Sequence, residues 1–131
     1  MPCENSLPGS PANWLRYAYS DLELAHVERS PRVLLESLCF HAQQTAEKAL
    51  KAVLVAHAIP FPKTHSIRML LDLLPPDLTL PVEIQDAASL TDYAVFSRYP
   101  GYLEPVDEEE YQEALRLAEA VVSWAEKIIQ Q

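Results

Sequence analysis

The sequence predicts an all-α fold whose helices meet at prolines, and three observations carry that reading. Apolar residues recur at three- and four-residue spacing over long stretches, the period of a helix with one buried face. Glycine numbers two against eleven prolines, too little glycine for a set of β-hairpin turns. The prolines cluster between the periodic stretches, where they act as joints. A chain of 131 residues with 49% hydrophobic content suits one domain, 11–131, behind a frayed or disordered tail, 1–10.

Helix one is predicted from Pro11 or Ala12 to Arg29, with Ser10 as N-cap and Pro11 in the first turn, where its missing N–H costs nothing. Trp14, Tyr17 or Ala18, Leu22, Ala25 and His26 form its expected buried face. Ser30 and Pro31 repeat the device and are expected to open helix two, which runs to Ala58 and packs antiparallel to helix one across so short a joint. Along it, Leu35, Leu38, Ala42, Thr45 or Ala46, Ala49 and Val53 make an apolar stripe whose alanines allow close approach of a neighbouring backbone. Beside that stripe lie His41, Gln44, Lys48 and Lys51, with Glu47 and Lys51 ordered for an ion pair of ordinary helix solvation.

After the proline-broken segment 59–63, Thr64 is the expected cap of a short third helix, His65 to Leu74, burying Ile67, Leu70, Leu71 and Leu74. Pro81 opens a fourth, through Val82, Ile84, Ala87, Leu90 and Ala94 to Ser97. Asp107 and Glu110 read as a capping box for the last helix. That helix buries Leu115, Ala118, Val121 or Val122, Ala125, and Ile128 or Ile129, with Trp124 near its end. The acidic run 107–110 is accounted for by the positive end of the helix dipole, so no metal site is assigned to it.

A formal charge of -9 argues against a broad nucleic-acid grip, so DNA is excluded as a partner and RNA disfavoured. Cys3 and Cys39 have no metal-ligand spacing and form no CxxC, which fits a reducing cytoplasm. The first ten residues lack the pattern of a signal peptide, and no apolar run approaches a membrane span.

The run from Phe40 to Ala52 (FHAQQTAEKALKA), then Thr64-His65-Ser66 opening a short helix, then Tyr93 through Ser97-Arg98-Tyr99-Pro100, resembles the prokaryotic HEPN domain family. The resemblance covers nearly the whole chain from Trp14 to Ile129. It implies an up-and-down four-helix bundle with an additional short helix, a homodimer, and pairing with a minimal nucleotidyltransferase in a toxin-antitoxin system. In the ribonuclease branch of the family an Arg is followed, after four to six residues, by a His that completes a metal-independent RNA-cutting site. This chain departs from that pattern: Leu103, Glu104 and Pro105 stand where Arg98 would need its His, and His26, His41, His57 and His65 have no Arg at that distance upstream.

With cleavage disfavoured, binding of an ATP-like nucleotide is the expected activity. His41, Gln44 and Lys48 form one wall; Arg98 forks onto phosphate and Tyr99 stacks on a base. His65, Asp92, Tyr93 and Tyr102 are secondary candidates, His65 chiefly as a loop stabiliser and Tyr93 as core or interface. Two other classes stay open: a divergent metal-independent endoribonuclease using Arg98 with Tyr99, Tyr102 or His41, and a non-catalytic dimeric adaptor.

Overall fold

A computed structural model of the chain describes residues 9–28, 30–95 and 105–130, and these contain helices and no strand. Arg98, Tyr99 and Tyr102, and the expected ends of helices one and four at Arg29 and Ser97, lie outside the described residues. In chain order the helices are α1 (Pro11–Ala25), α2 (Leu35–Ala56), α3 (Ile67–Asp72), α4 (Val82–Asp86), a 3₁₀ segment (Ala87–Thr91), α5 (Asp92–Val95) and α6 (Glu108–Gln130). α2 is the central element, with α1 along one side and α6 along another, while α3, α5 and the 3₁₀ segment pack against it from the remaining direction.

The start of α1 is as expected: Ser10 accepts from the backbone N–H of Asn13 at 3.1 Å, and Pro11 opens the helix. Ala18 and Ala25 are buried on its inner face, whereas Tyr17 is 52% exposed, which settles the choice between Tyr17 and Ala18. α1 stops at Ala25, and His26 lies outside the core, exposed and 2.8 Å from Glu119 of α6. Ser30 and Pro31 do not open a helix. The Val33 N–H donates to the Ser30 carbonyl at 3.0 Å, so Pro31 occupies the second position of a β-turn, which its fixed φ favours equally well. α2 begins only at Leu35, after an extended Leu34 that gives no side-chain cap.

The end of α2 carries a small strain. Ala58 has φ 56°, the Ile59 N–H reaches back to the Leu54 carbonyl at 2.9 Å, and the Ala58 N–H to Val55 at 3.0 Å. This is a Schellman closure, in which the left-handed residue is ordinarily glycine. An L side chain there costs about 1–2 kcal/mol, partly offset by its stiffer unfolded chain. Ala58→Gly is therefore expected to stabilise the protein by about 0.5–1 kcal/mol in urea melts; a loss of stability would contradict the closure.

The third helix is shorter than its apolar pattern suggests. Ser66, not Thr64, is its cap, accepting from Met69 N–H at 3.2 Å, while the Thr64 hydroxyl accepts from Ser66 N–H at 3.0 Å and fixes the preceding turn. The predicted fourth helix is broken into α4, the 3₁₀ segment and α5. Ile84, Ala87, Leu90 and Tyr93, spaced by three, are buried with Ala94 beside them, and a spacing of three keeps one face inward where the helix has about three residues per turn. The Ser89 hydroxyl donates to the Asp86 carbonyl and the Thr91 hydroxyl accepts from the Ile67 N–H, fastening the segment locally and to α3. Val82, the first residue of α4, is 68% exposed.

α6 is capped by Asp107, whose carboxylate accepts from Glu110 N–H at 2.8 Å. The Glu110 carboxylate, which would complete a capping box, accepts from the Tyr93 hydroxyl instead. Val121 and Val122 are both buried, beside Leu115, Ala118 and Ala125. On α2 the alanine stripe is fully buried at Ala42, Ala46 and Ala49, and Leu50, Val53 and Leu54 extend the core.

Candidate functional site

Because α2 is enclosed over most of its surface, its polar residues divide according to the neighbour they meet. Phe40, His41, Gln44 and Lys48 stay partly exposed along one strip, while Gln43, Glu47 and Lys51 are buried. Two charged clusters result, one against α1 and one against the loop before α3.

The first centres on Asp21, a buried residue of α1. His41 Nδ1 lies 3.0 Å from Asp21 Oδ1, and Lys48 Nζ donates to Asp21 Oδ2 at 2.5 Å. His41 and Lys48 are thus brought together by one carboxylate contributed from another helix. Above them a cleft of about 280 Å³ opens between α1 and α2, lined by Arg16, Tyr17, Ser20, Asp21 and Lys48. The Lys48 ammonium stands 5.9 Å from the centre of the Tyr17 ring, within cation–π range. Gln44 donates to the Gln43 side chain at 2.7 Å and is not among the lining residues.

The second cluster is structural. Lys51 donates to Glu47 at 2.9 Å, and its ammonium lies 5.6 Å from both the Trp14 and Phe61 rings. Gln43 donates to Glu47 at 3.1 Å and to the His65 carbonyl at 3.2 Å, while the His65 ring sits 2.9 Å from Glu47. Burial alone would push the Glu47 carboxyl up, but the hydrogen bonds from Lys51, Gln43 and His65 and the charge of Lys51 outweigh it and hold it below its ordinary value. With side-chain exposures of 10% for Lys51 and 4% for Glu47, this is no solvated surface pair, and the expectation of ordinary helix solvation is corrected. His65 acts as expected, tying the loop that carries Phe61 onto α2.

A third group joins α2, α5 and α6. Tyr93 donates to Glu110, and Cys39 is enclosed beside them. Burial pushes the Cys39 thiol up to about 12, with the charges of Glu110 and Glu36 adding to it, so the thiolate a nucleophile requires is disfavoured. Burial likewise raises Tyr93, reinforced by Glu110. Tyr93 is a core residue 9% exposed, in line with its structural reading, and Asp92 stands exposed without an ion pair among the described residues. No group of three or more potential metal ligands occurs among the described residues, and no helix of the described chain is long and apolar enough to cross a membrane.

Asp21 and the cleft residues Arg16, Tyr17 and Ser20 were not legible as a site. Their signal was the spacing 16, 17, 20, 21, two i,i+4 pairs on the polar side of α1, which becomes meaningful only once Lys48 is known to face it. Every buried side-chain nitrogen or oxygen among the described residues has a hydrogen-bond partner, so none of them is left over to hold a ligand.

Residues 12–128 match the HEPN domain family. Among solved structures, TT1696 from Thermus thermophilus aligns at 30% identity with a TM-score of 0.77, covering 92% of this chain and 98% of that one. ST0689, an archaeal HEPN homologue, aligns at 30% identity with a TM-score of 0.70 over the same shares of the two chains. A comparison with curated proteins found no match. The match over residues 12–128 and the shared all-helical architecture make this chain a member of the HEPN domain family.

Proposed function

We propose that this HEPN domain is the nucleotide-binding, toxin-like component of a pair completed by a minimal nucleotidyltransferase, and that it works as a homodimer by binding and not by cutting RNA. The observation that carries the reading is the convergence of His41 and Lys48 on Asp21, with Asp21 and Lys48 lining the cleft between α1 and α2. Lys48, a cation lining the cleft, suits a phosphate, to which its ammonium can donate a charge-assisted hydrogen bond. Cleavage without a metal needs a base and an acid at the reacting ribose, usually supplied by His. His41 is already engaged by Asp21, and no Arg stands at the family's ribonuclease spacing from it.

Two measurements test the proposal together. ATP in large excess is expected to raise the melting temperature by several degrees, since a ligand at a hundred times its Kd stabilises by roughly 2.7 kcal/mol. Co-expression with a minimal nucleotidyltransferase encoded beside it is expected to yield a stable complex in which light scattering finds two copies of this chain. A melting temperature indifferent to ATP removes the nucleotide, and a monomer that elutes apart from the nucleotidyltransferase removes the pair.

A further inference from the structure

From the polar strip of α2, Lys48 lines the cleft, and the opposite wall is built by α1. Arg16, Tyr17, Ser20 and Asp21 share one side of that helix and line the cleft with Lys48. Arg16 is exposed and makes no ion pair among the described residues, unlike Arg68 and Arg116, which are each paired with a carboxylate one turn away. Tyr17 presents a half-exposed ring beside the Lys48 ammonium, and Ser20 adds a hydroxyl one turn from Arg16.

Charge counting gives the cleft a sign. Arg16 and Lys48 supply two positive charges and Asp21 one negative, leaving a net charge of +1 with His41 neutral, on a chain whose total is -9. A concave positive spot on an acidic protein concentrates small anions there, while the surrounding negative field opposes a long polyanion such as an RNA strand. Size agrees with sign. At about 280 Å³ the cleft lies just below the roughly 300–1,000 Å³ usual for small-molecule sites, a scale that fits a small ligand and not a helix of nucleic acid.

From this we infer that the α1 wall is the recognition surface for a single nucleoside phosphate. Arg16 and Lys48 hold the phosphate, Ser20 donates to it, and the Tyr17 ring carries the base. Asp21 is the built-in competitor: it neutralises Lys48 when the cleft is empty and yields part of that cation to the phosphate on binding. The inference rests on the nucleotide-binding reading above but names different residues, α1 in place of the segment around Arg98. It makes Asp21 a brake on affinity, since removing its charge leaves both cations to the ligand.

The test is titration of the full-length protein with ATP, followed by backbone amide NMR and calorimetry, with inorganic pyrophosphate as the arm that lacks a base. ATP is expected to shift the signals of residues 16–21 and Lys48, and pyrophosphate to shift the same set with weaker binding. Arg16→Gln, at an exposed position without an ion pair among the described residues, is expected to weaken ATP roughly tenfold, the usual loss for a charge-assisted contact. Asp21→Asn is expected to tighten it about threefold or more, and Tyr17→Ala to weaken ATP while leaving pyrophosphate unchanged. If ATP binds but its shifts fall elsewhere and Arg16→Gln binds as wild type does, the α1 site is wrong and the nucleotide reading survives. If ATP shifts no signal, both are overturned.

Discussion

Glu47→Ala is expected to lower the stability of the fold by about 3–5 kcal/mol, the cost of breaking a buried ion pair and stranding one partner. Lys51 would lose its carboxylate partner at 10% side-chain exposure, with the Trp14 and Phe61 rings near its ammonium. Gln43 would still reach the His65 carbonyl, so the penalty falls mainly on Lys51 and on the lost anchor of the His65 loop. Against a total of about 7–20 kcal/mol for a chain of 131 residues, that is a large fraction, and the melting temperature should drop by roughly 10–20 °C. Replacing both partners, as in Glu47→Leu with Lys51→Met, should restore much of the loss, because no charge then remains buried. A single mutant within about 1 kcal/mol of wild type would mean that Lys51 finds water or another anion in solution.

The same cluster sets an acid limit. The Glu47 carboxyl is held below its ordinary value of 4.5, so the folded state binds its proton less readily than the unfolded chain does. Its contribution is fully present above that ordinary value and is lost as pH falls through the lower folded one. Acid denaturation should therefore begin below about pH 4.5, and Glu47→Ala should flatten that part of the stability profile.

Leu50→Ala is the second large effect, with an expected cost of about 2.7–5 kcal/mol. Leu50 is fully buried on α2, the helix that α1 and α6 both pack against, so the cavity left behind cannot be filled without moving a long helix. Leu34→Ala provides the comparison, since Leu34 is 57% exposed and its truncation should stay within about 0.5 kcal/mol. Urea unfolding that gave the two variants equal midpoints would contradict the placement of Leu50 at the centre of the core.

Helix starts were legible where the signal is local. Ser10 before Pro11, and Asp107 three residues before Glu110, act through groups within one turn, and the structure shows both caps. Ser30 before Pro31 carries the same dipeptide and makes a turn instead, because a proline at a turn's second position satisfies the same backbone constraint. The break in the fourth helix was written in the spacing of Ile84, Ala87, Leu90 and Tyr93, but a run of threes also fits one face of an α-helix.

By itself the sequence determined the helical class, the buried alanine stripe of α2 and the absence of an Arg–His ribonuclease pair, since each depends on periodicity or on spacing along the chain, and its resemblance to HEPN domains pointed to the family. Tertiary structure alone decided which polar groups meet. Asp21 lies 27 residues from Lys48 and 20 from His41, and only the packing of α1 on α2 gives them a shared carboxylate. It also decided that Glu47 and Lys51, a spacing typical of a surface pair, are buried. Helical periodicity records which residues share a face, whereas the dielectric and the partner that face meets are set by the neighbouring helix.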